Sequence, residues 1–291
     1  MFKILSKTQL SAVVWEMVVE APLLARHCRP GQFLIVRKDE VGERIPLTIC
    51  DYDTEKGTVT IVFQPVGVSS EKFLELEEGD SFLDFVGPLG RPSDICDMSD
   101  EELRKKKFLF VCGGVGTAPV YPQVKWLHER GISADVIIGC RTKDLLFYED
   151  KMREVAGHLY VTTDDGSYMH KGVVTTVIDE LVAEGKEYNH CVCIGPMIMM
   201  KFCCLTTQKY GIPTIVSMNP IMVDGTGMCG ACRLTVGDEV KFACVDGPEF
   251  DGFKINWAEC MKRAAMYKTV EGEAKLRYQE GKTHEGDCGN C

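Results

Sequence analysis

Lys107-Phe-Leu-Phe-Val-Cys112 runs directly into Gly113-Gly-Val-Gly-Thr-Ala-Pro119, and a helical pattern continues from there to Arg130. The strand is apolar on both faces, as strands buried inside parallel sheets are. Strand, glycine turn and helix in this order make the arrangement that binds dinucleotides. The glycine spacing departs from G-x-G-x-x-G, so that fingerprint alone matches poorly. The order of the later elements settles the class. Strands are expected over 134–139, 159–163, 190–194 and 214–218, and helices over 145–156, 172–184 and 197–210. Alternating strand and helix means a doubly wound parallel sheet.

Upstream of this unit the pattern differs. Short apolar runs over 12–19, 32–37, 45–51, 58–65 and 81–86 are separated by turns at Arg29-Pro-Gly31, Thr54-Glu-Lys-Gly57, Glu77-Glu-Gly79 and Gly87-Pro-Leu-Gly90. That is the pattern of an antiparallel β-barrel. One short helix is expected over 69–76, with Ser69 or Ser70 as its N-cap. Gly67-Val-Ser-Ser70 before it is a candidate phosphate cradle, since a helix start presents free N–H groups to an anion. A charged linker or short helix over 98–107 joins the two regions.

Downstream, Asp224-Gly-Thr-Gly-Met-Cys229-Gly-Ala-Cys232, with Cys244 beyond it, reads D-x4-C-x2-C-x11-C. Plant-type [2Fe–2S] loops read C-x4-C-x2-C with a distant fourth Cys. Asp224 therefore stands where the first Cys belongs, and Asp224, Cys229, Cys232 and Cys244 are the candidate ligands. Gly225, Gly227 and Gly230 allow the tight wrapping such a loop requires. A C-x2-C alone also serves as a zinc half-site, but no second half-site lies nearby. Strand, turn and strand are expected over 233–236, 237–238 and 240–244. A helix is expected over 255–267, and from Glu271 a frayed, charged tail ends in Cys288-Gly-Asn-Cys291, a C-x2-C open to metal or disulfide.

The chain has 291 residues, 45% hydrophobic and 26% charged, with a net charge of −10. This is an ordinary globular composition with room for two or three domains. The expected divisions are 1–97, 98–221 and 222–291. The negative charge argues against nucleic acid and against an anionic membrane surface. Fifteen Cys, many of them in apolar strands, suit a reducing cytoplasmic setting rather than a disulfide framework. Neither a signal peptide nor a membrane span is expected.

Several motifs together resemble the ferredoxin–NADP reductase superfamily. Arg44-Ile-Pro-Leu-Thr48 is similar to the flavin-binding R-x-P-L-[ST] of its iron–sulfur members. Gly113 to Pro119 resembles G-G-x-G-x-[AT]-P, Thr163-Asp-Asp-Gly-Ser167 resembles T-D-D-G-S, and Cys193-Ile-Gly-Pro-Met197 resembles C-G-P-x-x-M with the Gly one place late. The resemblance implies an FAD-binding barrel, an NAD(P)-binding α/β domain and a small C-terminal [2Fe–2S] domain. It gives Arg44 to a flavin phosphate, Pro46, Leu47 and Thr48 to the flavin ring, and Gly67, Ser69 and Ser70 to the pyrophosphate. Phe63 and Gln64 are counted with this flavin set. The nicotinamide nucleotide is expected against Gly113, Gly114, Gly116, Thr117, Ala118, Pro119, Arg141, Asp164, Asp165, Gly166, Gly195, Pro196 and Met197.

Such a chain is a wire. A hydride carries two electrons and a cluster takes one, so a flavin must stand between NAD(H) and the [2Fe–2S] group. Over nearly its whole length the chain looks like two related kinds of subunit. One is the electron-transfer subunit of NAD-dependent dihydroorotate dehydrogenase, which uses four Cys ligands. The other is the small (alpha) subunit of electron-bifurcating NADH-dependent ferredoxin:NADP+ oxidoreductase, also labelled sulfide dehydrogenase beta subunit, which carries Asp at the first position. Asp224 favours the second. That reading implies a heteromer with a large glutamate-synthase-like flavoprotein and an indirect link to ferredoxin. A reading of another class is a non-catalytic, ferredoxin-like redox adaptor with a degenerate nucleotide fold.

Overall fold

The computed structural model describes residues 1–287; Cys288 and Cys291 lie outside the described residues. The N-terminal region contains β1 (Phe2–Ser11), β2 (Val14–Glu20), α1 (Pro22–Ala25), β3 (Phe33–Arg37), β4 (Ile45–Asp53), β5 (Thr58–Phe63), α2 (Val68–Phe73), β6 (Ser81–Phe82) and β7 (Asp84–Leu89). These strands pair antiparallel in the order β6-β1-β2-β5-β4-β3-β7. The two edge strands are separated in sequence by Leu83 alone, which brings the edges together and rolls the sheet into a nearly closed barrel. Its interior is apolar, with Met17, Leu34, Ile61, Phe73 and Phe82 all buried. Phe73 meets Phe63 and Phe82 edge-on, with centroids 5.6 and 5.2 Å away. Each such pair adds about 0.5–1.5 kcal/mol beyond area burial.

Two expectations change here. The expected strand over 12–19 proves to be the second of a pair, because β1 precedes it and pairs with it from Ile4↔Val19 to Ser11↔Val14. β1 is mostly half-covered or exposed, so it lacks the apolar run that marks the other strands. The expected strand over 81–86 divides at Leu83 into β6 and β7.

α3 (Asp100–Arg104) opens the middle region with a reciprocal cap: Ser99 Oγ accepts from Glu102 N at 3.3 Å, and Ser99 N donates to Glu102 Oε2 at 2.8 Å. Next come β8 (Phe108–Gly113), α4 (Thr117–His128), β9 (Ala134–Cys140), α5 (Glu149–Val155), β10 (His158–Thr163), β11 (His170–Lys171), α6 (Val174–Ala183), β12 (His190–Ile194), α7 (Met197–Lys209) and β13 (Thr214–Ser217). The last region adds β14 (Arg233–Val236), β15 (Glu239–Phe242), β16 (Glu249–Asp251), α8 (Trp257–Ala264) and α9 (Lys268–Asp287). The second sheet runs β11-β10-β9-β8-β12-β13-β16, parallel except for the antiparallel β13–β16 pair. The chain after the cluster loop thus returns to extend the sheet at β16. β14 and β15 form the expected hairpin around Gly237.

The charged tail, expected to fray, is helical through α9. Over 271–281 only Lys275 and Tyr278 are half-covered, one turn apart. Lys275 Nζ lies 3.1 Å from Glu71 and donates to Val66 O at 3.2 Å, while Tyr278 hydrogen-bonds Glu75 on the same barrel segment. These contacts join α9 to the barrel around α2. Among the described residues no helix is long and apolar enough to cross a membrane.

A polar cluster closes the junction of the three regions. Glu249 Oε1 accepts from Gln123 Nε2 at 2.7 Å, and Ser93 Oγ donates to Gln123 Oε1 at 3.2 Å. Glu249 Oε2 is buried without a partner. Burial, reinforced by Asp94, pushes the Glu249 carboxyl up from 4.5 to about 7. A folded-state pKa raised above the unfolded one favours folding at low pH, and that contribution disappears as pH rises through about 7. Glu249→Gln should therefore leave urea stability at mildly acidic pH nearly unchanged and raise it at mildly alkaline pH. The stability curve should flatten between 4.5 and about 7; a mutant curve parallel to the parent's would refute this.

Candidate functional site

A cavity of about 1250 Å³ lies between the barrel and the C-terminal edge of the parallel sheet. That edge is where open α/β sheets bind ligands. From the barrel, Pro46, Leu47 and Thr48 of β4 and Gln64 after β5 line it; so does Phe33, which faces the cavity from β3. Phe63 does not reach it: its side chain is 2% exposed and belongs to the barrel core.

The opposite wall is the turn between β8 and α4. Gly113, Gly114, Gly116 and Pro119 line the cavity, whereas Thr117 and Ala118 are buried beneath it. Gly116 is required by space rather than by dihedral angle. A Cβ there would stand 2.2 Å from the carbonyl oxygen of Ile194 at the end of β12. Gly195 and Pro196 complete this wall. Met197 packs with the core instead; Met199 presses on Gly113 and Gly195, where added Cβ atoms would lie 2.3 Å from its Sδ and 2.6 Å from its Cε. Strict spacing in C-G-P-x-x-M, counted from Pro196, points to Met199, and that count was the available signal.

Arg141 and Asp164 also face the cavity. Asp165 caps its own turn by accepting from Ser167 N at 2.9 Å, and the Ser167 side chain and backbone together hold its carboxyl below the usual range. Gly166 sits at φ 77° beside the Lys171 side chain. Lys143 rests 4.7 Å over the Tyr168 ring, and its backbone N–H bonds Ser167 Oγ.

At the start of α2, Ser70 Oγ accepts from Val66 N and Gly67 N at 3.0 and 3.1 Å, so of the N–H groups over 67–70 that of Gly67 is taken by a hydroxyl. Ser69 donates to Glu43 and lines a separate cavity of about 130 Å³ with Lys38 and Lys72, two cations the sequence did not single out. Arg44 borders neither cavity. Its guanidinium lies 3.5 Å from Asp84 and donates to the main-chain carbonyl of Asp224 at 3.4 Å.

The cluster loop begins just beyond the large cavity. Asn219, Pro220 and Met222 line it, and Asp224 comes two residues later. Of the four candidate donors, Cys232 and Cys244 are in contact. N–H groups of Ala231, Asp224 and Val223 hold the Cys229 thiol below its ordinary value, with Asp224 beside it. Cys232 Sγ accepts from Cys244 N at 3.5 Å, while burial and the neighbouring Cys232 push the Cys244 thiol up to about 12. Asp224 Oδ2 accepts from Thr226 N at 2.8 Å and Met228 N at 3.3 Å. Among the described residues no three His, Cys, Asp or Glu side chains close on a single ion. Four donors of which no three converge on one point fit a two-iron cluster, whose metals each take two protein ligands, better than one tetrahedral zinc. N–H groups already aimed at sulfur suit an iron-bound thiolate, since a metal deprotonates its thiol outright.

Gly116→Ala must push apart two backbones, a strain of about 1–3 kcal/mol. The variant should lose nicotinamide-nucleotide binding, read by isothermal titration, while its iron absorbance persists; unchanged binding would show that the turn has slack.

Residues 219–256 match the iron–sulfur cluster binding domain of dihydroorotate dehydrogenase B, and residues 110–205 match the oxidoreductase NAD-binding domain. A Clostridium beijerinckii protein described only as an uncharacterized protein in the adh 3' region is 62% identical, over 99% of this chain and 98% of its own. A Thermotoga maritima homolog of the dihydroorotate dehydrogenase B (NAD(+)) electron transfer subunit is 45% identical, over 95% of this chain and 94% of its own. A solved chain of NADH-dependent reduced ferredoxin–NADP oxidoreductase superposes with a TM-score of 0.88 at 43% identity, covering 96% of this chain and 98% of that one. The chain belongs to the family of dihydroorotate dehydrogenase B-type electron-transfer subunits, and it is an oxidoreductase subunit that works with NAD(H), FAD and a [2Fe–2S] cluster.

Proposed function

We propose that this chain is the small subunit of an electron-bifurcating, NADH-dependent reduced ferredoxin:NADP+ oxidoreductase. The observation that carries the reading is Asp224 in the first ligand position, beside Cys229, in a chain that superposes over 96% of its length on a solved chain of that enzyme. Its complex includes a larger subunit, which we take to be a glutamate-synthase-like flavoprotein, with ferredoxin reached through it. Exposed Val223 and Met228 beside the cluster loop, Met228 at 86% exposure, support a partner surface there.

When bound, the nicotinamide supplies a hydride, FAD takes the electron pair and releases single electrons, and the cluster carries one at a time. Gly113, Gly114 and Gly116 would let the nucleotide pyrophosphate approach the sheet edge, and Met199 and Pro196 would bound its nicotinamide end. Pro46, Leu47, Thr48 and Gln64 would hold the flavin ring against Phe33. Asp224 with Cys229 would hold one iron and Cys232 with Cys244 the other. The adjoining divisions would be 1–97 for flavin, 98–221 for nicotinamide and 222–291 for the cluster.

Selectivity for a 2′-phosphate needs free cations after the second strand of the nucleotide unit. There Arg141 faces the cavity, but Lys143 is drawn onto the Tyr168 ring and Asp144 comes directly after it. This supports NADH. Stopped-flow bleaching of the bound flavin should be faster with NADH than with NADPH at equal concentration; a clear NADPH preference would overturn the assignment.

Asp224→Cys should still assemble a [2Fe–2S] cluster with an altered EPR spectrum. Cys229→Ala, Cys232→Ala and Cys244→Ala should each lose most of it. A spectrum unchanged in Asp224→Ala would remove Asp224 from the ligand set.

The subunit alone should reduce artificial dyes with NADH, and only the purified heteromer should couple NADH and reduced ferredoxin to NADP+. Coupled turnover by this chain alone would refute the heteromer, and NAD+-dependent dihydroorotate oxidation by the heteromer would favour the dihydroorotate enzyme that the cluster-domain match also fits.

A further inference from the structure

Arg44 stands at the head of β4, the strand whose Pro46, Leu47 and Thr48 form the flavin wall of the cavity. Its guanidinium turns away from that wall. Nη1 lies 3.5 Å from Asp84 Oδ2, and Nη2 donates to the carbonyl of Asp224 at 3.4 Å, across 180 residues of chain. Asp84 also forms an ion pair with Arg37, whose Nε lies 2.7 Å away. The next residue of the loop fits just as closely. Gly225, at φ 87°, leaves no room for a Cβ, which would stand 2.8 Å from Ile35 Cγ1 and 3.1 Å from Leu89 Cδ1. Two consecutive loop residues are thus seated on the barrel, one by a charged donor and one by apolar contact. Because Arg44 binds the main-chain carbonyl of Asp224, the carboxylate stays free to face its own loop, where Thr226 and Met228 N–H groups receive it.

We infer that Arg44 is a positioning residue for the cluster: it seats Asp224 and raises the cluster's reduction potential, and it does not hold the flavin phosphate. The inference rests on the proposed cluster reading of the loop. An arginine is charged at every accessible pH. A fixed cation stabilises the more negative, reduced cluster, and the effect is less screened for a side chain only 33% exposed.

The experiment uses the full chain purified with its flavin and cluster, in parent, Arg44→Gln and Arg44→Lys forms. Cluster potential is read by an EPR-monitored redox titration, and FAD content is read from absorbance after acid release. Arg44→Gln should shift the cluster potential downward and change the EPR line shape, with FAD content equal to the parent's. Arg44→Lys should recover most of the potential. Loss of FAD with an unshifted cluster would make Arg44 a phosphate holder and overturn the inference. An unshifted potential with FAD retained would overturn it too. Should Arg44→Gln fail to assemble, Arg44→Met, which keeps the length of the stem without the charge, decides: a downward shift supports the seat, and no shift overturns it. Absence of a [2Fe–2S] signal in the parent protein would instead sink the cluster reading itself.

Discussion

The rest of the site depends on one close backbone approach. At Gly116 the turn after β8 comes so near the end of β12 that a single methyl group would collide with the Ile194 carbonyl. That contact sets how far the two central strands can splay at their C-terminal ends, and hence the shape of the cavity mouth. Around it, Gly113 and Gly195 leave space that Met199 fills. A soft, unbranched side chain suits such a gap, because it can adapt to an irregular outline without polar atoms to satisfy.

The barrel brings its β4 wall to that mouth, so the proposed flavin and nicotinamide walls border one cavity. The cluster joins them through a short covalent route: β13 ends at Ser217, the link to Met222 runs along the cavity, and the ligand loop opens at Asp224. Electrostatics then separate the two halves of the loop. Cys229 is exposed among N–H donors, whereas Cys232 and Cys244 are buried together. The paired burial of Cys232 and Cys244 anchors the loop in the core, and Cys229 faces outward.

Local signals were readable and long-range destinations were not. The strand, glycine turn and helix from Phe108 onward, the barrel strands β3 to β5 and the hairpin β14–β15 all announce themselves by periodicity and turn chemistry within a few residues. β1 escaped because its burial is shared with solvent along its length. α9 escaped because Gly272, Gly281 and a wealth of charge hide a helix that is tied to the barrel through Lys275 and Tyr278. Most of the cavity lining expected from motifs lies where motifs put it. Phe33, Met222 and Pro248 reach the same space from segments with no motif at all, and only the packed fold brings them there. Arg44 shows the limit from the other side: its motif names the strand correctly, but the direction of its side chain is decided by Asp84 and Asp224, far away in sequence.

The β13–β16 pairing carries a kinetic meaning. The segment that bears the iron ligands leaves the nicotinamide sheet after β13 and is sewn back into it at β16, with Gly252 N donating to Thr214 O at 2.8 Å to close the seam. Arg44 and α9 tie the same region to the barrel at two further points. A redox module fastened along three seams does not shuttle: it cannot swing between donor and acceptor on a tether, as carrier domains joined by flexible linkers do. Electrons therefore cross this chain over spacings fixed at folding, and any gating of their flow must come from the arriving nucleotide or from the neighbouring subunit.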